Sequence, residues 1–278
     1  MKIQQFSDTL VAMRNTLQLS TAALVLAGAC VSIGSQDAGQ PRTILTSAHR
    51  GEHHHHPENS LPAIQGAIEA GMDFVELDIR TTSDGHLILM HDSTVDRMTN
   101  GHGPVSAMTL ADIRKLDLGA RFPGQFPDLR VPTFDEALAL AKGRIGIYVD
   151  TKSASPKDLV AAIDRHEMGA HVMFYSVHPE FLKQISDLRP QWTLLPEAFN
   201  PENVSRLLEL LHPKVLGFDA RDYNGPTIAA AKQGKVGIFV DLNTPQEWQN
   251  AIEVGVAGIQ TDHPVELMAF LRAKGYHK

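Results

Sequence analysis

The chain has 278 residues, 43% of them hydrophobic, and a formal charge of −7. That is enough apolar material for one large domain or two small ones. The acidic balance, with no long basic run, excludes the clustered Lys and Arg footprint of a nucleic-acid protein, so an anionic partner must be held by a local site.

Residues 1–40 read as a signal peptide and short linker. Lys2 and Arg14 precede a mostly apolar stretch from Leu17 to Ile33, densest from Ala22 to Val31, with Ala27, Gly28 and Ala29 near its end. This is the layout of a secretory signal, and its dense part is too short for a comfortable membrane span. The expectation is export, to a periplasm or the extracellular space, with no stable span in the mature form. Cys30 follows the small residues and also suits a lipoprotein site, and so a lipid anchor, although Ala27 stands where such sites usually carry a larger aliphatic residue. Cleavage beyond Cys30 would leave no cysteine and hence no disulfide.

From Thr43 onward, apolar runs of strand length alternate with longer amphipathic segments, the pattern of a parallel sheet with crossover helices. Strands are predicted near residues 44–49, 73–79, 145–150, 171–177, 192–196, 214–219, 236–242 and 257–261. Helices are predicted over 61–70, 134–141, 156–166, 179–188, 201–211, 227–232, 245–254 and 264–273; several begin at proline or beside Asn, Ser or Thr, as helix starts do. Eight such units without a Gly, Pro or Ser-rich divider predict a single α/β domain over residues 41–278, a (β/α)8 TIM barrel. The unit after the second strand is long, from Ser83 to Lys142. It holds a strand-like run at Leu87–Met90, a glycine-rich turn at Asn100–Gly103 and a short helix near Leu110–Leu116. Long insertions of this kind commonly serve function.

Active groups of such barrels sit where strands end. His49 closes the first predicted strand, Glu76 and Asp78 lie late in the second, Asp150 and Lys152 end the third, and Asp262 ends the eighth. Glu76 and Asp78 are two residues apart, so alternation places them on one face and Val75, Leu77 and Ile79 on the other. Paired carboxylates on one face repel unless a cation or a salt bridge, for example to Arg80, resolves the conflict. Carboxylate oxygens suit a hard divalent cation, an arginine such as Arg50 suits a phosphate, and two histidines can divide proton donation and acceptance. The cluster reads as a metal-assisted phosphodiester site.

Seven short motifs occur in order: His49-Arg50-Gly51, Pro57-Glu58-Asn59-Ser60, Glu76-x-Asp78, Thr82-x-Asp84-Gly85, His91-Asp92, Arg97-x-Thr99-x-Gly101-x-Gly103 and Thr261-Asp262-x-Pro264. Together they resemble the glycerophosphodiester phosphodiesterase family over essentially the whole chain after residue 40, most specifically in its N-terminal half. The resemblance implies a (β/α)8 fold whose long unit after the second strand is a characteristic small insertion, here about residues 92–130, and hydrolysis of a small phosphodiester to an alcohol and glycerol phosphate. By position it implies His49 and His91 as the acid–base pair, Arg50 and Lys152 as phosphate ligands, Glu76, Asp78 and Asp150 as ligands of one Mg2+ or Ca2+, and Glu58 as support. It also suggests attack by the substrate's own neighbouring hydroxyl.

Three features depart from the family pattern. Asp150 stands where Glu is common, Val240-Asp241-Leu242-Asn243 replaces a Trp-Thr-x-Asn segment and so an aromatic wall, and His53–His56 form a run in the first loop. His178 and Glu197, also at strand ends, are candidates to line the pocket, while His102 reads as a loop residue. Rival readings are a phospholipase D-like enzyme acting on lysolipids or sphingolipids, a non-catalytic barrel that binds phosphate esters, and a metal store built on the histidine run.

Overall fold

The computed structural model describes residues 43–278 apart from Pro123. The expected signal peptide and the candidate lipidation site at Cys30 lie outside the described residues. Eight parallel strands run in the order β6-β5-β4-β2-β1-β9-β8-β7. They are β1 (Leu45–Ala48), β2 (Phe74–Thr81), β4 (Gly146–Thr151), β5 (Val172–Ser176), β6 (Thr193–Pro196), β7 (Val215–Phe218), β8 (Gly237–Asp241) and β9 (Gly258–Thr261). The ends of this path meet: Glu197 bridges Gly217 in parallel, and the Ala198 N–H donates to the Gly217 carbonyl at 2.8 Å. The barrel is nearly closed, as the alternation predicts. Among the described residues no helix is long and apolar enough to cross a membrane.

The crossover helices start where local chemistry tells them to. Ser60 accepts from the Ala63 N–H to cap α1 (Leu61–Ala70), and Thr133 and Thr244 form reciprocal capping boxes with Glu136 and Glu247. Such caps satisfy amide groups that a helix's first turn leaves without partners. Strand β2 runs two residues beyond its predicted end because it acquires a partner. Its last residues pair antiparallel with β3 (Leu87–Leu89), Ile79 opposite Leu89 and Thr81 opposite Leu87. Behind β3, the segment up to Val131 folds around its own small core of Ile88, Met90, Val95, Met98, Ile113 and Leu118.

Alternation sorts the strands into two layers of side chains. Val75, Leu77 and Ile79 point outward into the main core beneath the helices. Phe74 points inward and packs with Tyr148, Met173, Leu195, Val215 and Phe239 across the barrel's floor. Two glycines admit the floor rings: a Cβ at Gly146 would lie 2.5 Å from Phe74, and one at Gly258 would lie 2.2 Å from Phe239. Further along the same inward faces come Glu76, Asp78 and Asp150, so a dry apolar floor carries an acidic layer above it.

Candidate active site

Register brings the acidic side chains together. Asp78 and Asp150 are direct neighbours across β2 and β4, and Glu76 lies one inward position back. Oxygen atoms of all three converge within 4.8 Å. Glu76 and Asp78 are 2% and 1% exposed, and burial together with the Asp78 charge pushes the Glu76 carboxyl well above its usual range. Burial likewise raises Asp150, against the pull of Lys152. Like charges this close in a largely buried site favour either protonation or a bound cation.

Protein cations offset only part of this charge. The Lys152 ammonium lies 2.8 Å from Asp150 Oδ2 and 3.1 Å from Asp78 Oδ1. Arg50 Nε lies 3.4 Å from Asp78 Oδ2. Arg80, the salt-bridge partner considered for the acidic pair, instead donates to the His91 carbonyl through Nε and Nη2 at 3.0 and 2.6 Å. An all-oxygen set of three carboxylates with this residual charge fits a hard divalent cation.

The first loop is folded tightly onto the triad. Arg50 and Asn59 adopt left-handed backbones, with φ of 56° and 55°, a conformation that costs a non-glycine residue on the order of 1 kcal/mol. Hydrogen bonds hold it: the Arg50 N–H donates to Glu76 Oε2 at 2.8 Å, and the Asn59 N–H donates to the Arg50 carbonyl at 3.0 Å. The Asn59 side chain then clamps Asp78, donating to Oδ2 at 2.6 Å and accepting the Asp78 N–H at 3.0 Å. Glu58 reaches Arg50 Nη1 at 3.3 and 3.4 Å.

Each catalytic candidate histidine is oriented through Nδ1 by a carboxylate. His49 Nδ1 lies 2.7 Å from Asp262 Oδ1, and the Asp262 N–H is held by Asn243 Oδ1 at 2.7 Å. His91 Nδ1 lies 2.8 Å from Asp92 Oδ1. Burial alone would lower the His49 pKa, but the Asp262 hydrogen bond and the charges of Glu76 and Asp241 outweigh it and raise the ring to about 9. His49 lines one cavity with Glu76 and Asp150, and His91 lies close enough to Asp150 to act on its charge.

A cavity of about 130 Å³ extends from His49, Glu76 and Asp150 toward the opposite strands. Tyr148, Tyr175, Phe218 and Phe239 line it, together with Glu197, Asp219 and Asp241. Aromatic side chains in the cavity thus come from β4, β5, β7 and the residue before Val240 in β8. Glu197, a pocket candidate from its strand end, does line the cavity; burial pushes its carboxyl up to about 7, and it accepts the Asp219 N–H at 2.8 Å. His178 does not line the cavity and instead occupies the N-cap position of α5 (Pro179–Leu188). His102 is a loop residue beside Asp96, as expected, its side chain 86% exposed.

The histidine run divides. His53 lies 3.6 Å from Asp262 and His54 stacks on His263 at 4.6 Å, whereas His55 and His56 turn to Glu52 at 3.1 and 2.8 Å. Among the described residues only Glu76, Asp78 and Asp150 converge as a set of three metal-capable side chains. Sequence reasoning did not assign roles to Asp92, Arg97, Asn59 or Asn243. The first three sit inside the quoted motifs, and that placement was the available signal.

Residues 49–266 match the model of the glycerophosphoryl diester phosphodiesterase family. The chain belongs to that family. A glycerophosphodiester phosphodiesterase of Caldanaerobacter subterraneus is 31% identical over 245 residues, covering 83% of this chain and 99% of its relative. One from Bacillus subtilis is 31% identical over 255 residues, covering 81% and 85%. Among solved structures, the Agrobacterium tumefaciens glycerophosphodiester phosphodiesterase superposes with a TM-score of 0.74 at 27% identity, covering 82% of this chain and all of the other. An Oleispira antarctica phosphodiesterase, solved with the product sn-glycerol-3-phosphate, shares the fold with a TM-score of 0.76 at 20% identity, covering 83% and 97%. The family's enzyme class, hydrolysis of glycerophosphodiesters, is the class of this chain.

Proposed function

We propose that hydrolysis here depends on one divalent cation, Mg2+ or Ca2+, and on acid–base catalysis by His49 and His91, yielding an alcohol and glycerol phosphate. The observation that carries this reading is the pair of carboxylate-oriented histidines, His49–Asp262 and His91–Asp92, set about a convergent three-carboxylate centre. Glu76, Asp78 and Asp150 would hold the cation. When bound, it supplies Lewis acidity that draws charge from the phosphoryl oxygens.

The chain's own groups do the rest. Arg50 and Lys152 face the anionic phosphate and offset the charge that builds on its oxygens. Because Nδ1 of each histidine is engaged by its carboxylate, Nε2 is the ring nitrogen open to substrate. One ring takes the proton of the substrate's neighbouring hydroxyl as its oxygen bonds to phosphorus, and the other protonates the departing alkoxide as the P–O bond breaks; water then opens the resulting cyclic phosphate to glycerol phosphate, the two rings exchanging roles. Glu58 keeps the Arg50 guanidinium in place.

The test is turnover of a headgroup panel including glycerophosphocholine and a lysolipid, before and after chelation. Activity lost on chelation and restored by one cation is expected. Undiminished activity in chelator would overturn the metal reading, and preference for the lysolipid would favour a phospholipase D-like substrate range.

A further inference from the structure

Arg97 belongs to the insertion, and its guanidinium grips two carboxylates at once. Nε and Nη2 donate to Asp92 at 2.7 and 3.1 Å. Nη1 and Nη2 donate to Glu58 at 2.9 and 2.6 Å. Each carboxylate has a second contact in the site: Asp92 orients His91, and Glu58 accepts from Arg50. The chain of contacts therefore runs His91, Asp92, Arg97, Glu58, Arg50.

The clamp has a foundation of its own. Val95 and Met98, on either side of Arg97, are buried in the small core of the insertion, and the Arg97 carbonyl accepts from Arg121 Nε at 2.8 Å. A planar fork that bonds two carboxylates fixes the orientation of both, which a lysine's point charge cannot do. The Arg97 side chain is 42% exposed, and exposed ion pairs contribute only about 0.2–1 kcal/mol each to stability. Stability alone is a weak reason for so elaborate a contact.

We propose that Arg97 is a positioning residue for phosphodiester cleavage, setting the His91 imidazole through Asp92 and the Arg50 guanidinium through Glu58. One side chain of the insertion thereby coordinates proton transfer with phosphate binding. The inference rests on the roles given above to His91 and Arg50.

The experiment measures kcat and KM with glycerophosphocholine and saturating cation for R97A, R97K, D92N, E58Q, H91A and the doubles R97A/D92N and R97A/E58Q, with thermal melts of each. R97A should lose about 100-fold in kcat/KM, divided between a lower kcat and a higher KM, while its Tm stays within a few degrees. R97K should recover no more than about a tenth of the lost activity. In each double the R97A penalty should shrink several-fold, because groups acting through one another are not additive. R97A with kcat and KM within twofold of wild type, or penalties that multiply in full in both doubles, would overturn the inference. If H91A itself retained near wild-type turnover, the underlying catalytic reading would be at fault instead. Should R97A fold poorly, the R97K split between kcat and KM decides the matter alone.

Discussion

The two histidine dyads make the same kind of hydrogen bond from different parts of the molecule. His49 and Asp262 are 213 residues apart and meet because β1 and β9 are neighbours in the barrel, Ala48 in register with Thr261. His91 and Asp92 are consecutive, stand at the base of the insertion, and are steadied by Arg97 rather than by a strand neighbour. Their charge surroundings differ too. Glu76 and Asp241 act on His49, whereas Asp92, next to His91, shares its negative charge with an arginine that holds its carboxyl well below the usual range. A ring fixed by the barrel and a ring fixed by an appended segment are not interchangeable, even with matched hydrogen bonds.

The most severe way to break the comparison is to remove each ring. His49→Ala and His91→Ala should each fold normally and lose about two to four orders of magnitude in turnover, the usual scale of acid–base catalysis. A steady-state assay with circular dichroism as the folding control checks this, and near wild-type turnover in either variant would sink the pairing.

The next effect sharpens the electrostatic contrast. A His49 pKa of about 9 lies above the ordinary 6.5, so the protonated ring stabilises the metal-free fold fully below pH 6.5, and that contribution is lost as pH rises through about 9. Integrated over that window it amounts to roughly 3 kcal/mol. Melts in chelator should therefore fall from pH 6.5 to 9.5, and Asp262→Asn should flatten the fall. Equal slopes in the two proteins would show that Asp262 does not hold that proton.

The smallest expected effect tests the loop between the dyads. Asn59→Ala strips Asp78 of its side-chain clamp and leaves the buried Asp78 N–H without the partner it has now, a loss of about 1–3 kcal/mol. Urea unfolding measures it. A change under about 0.5 kcal/mol would mean that the left-handed loop relaxes without its anchor.

Legibility in the sequence followed the distance between partners. Glu76 and Asp78 declare a shared face by their spacing, and the helix starts announce themselves through proline and short polar caps. The eightfold alternation was visible for the same reason, since each unit is written locally. Contacts made by closure were not: nothing near Asp262 names His49, and nothing near Lys152 shows that its ammonium reaches Asp78 as well as Asp150. The wall formed by Tyr148, Tyr175, Asp219 and Asp241 was equally hidden, because those residues sit in ordinary strand patterns and acquire meaning only when the strands curl around one cavity. Val240-Asp241 announced a missing aromatic group without revealing that Tyr148, Tyr175, Phe218 and Phe239 face the same cavity.

The rings seated over Gly146 and Gly258 have a consequence for traffic. They stopper the barrel at one end, which turns the reaction chamber into a cul-de-sac. Reactant, water and the two fragments therefore come and go on the side of the acidic layer, away from that stopper.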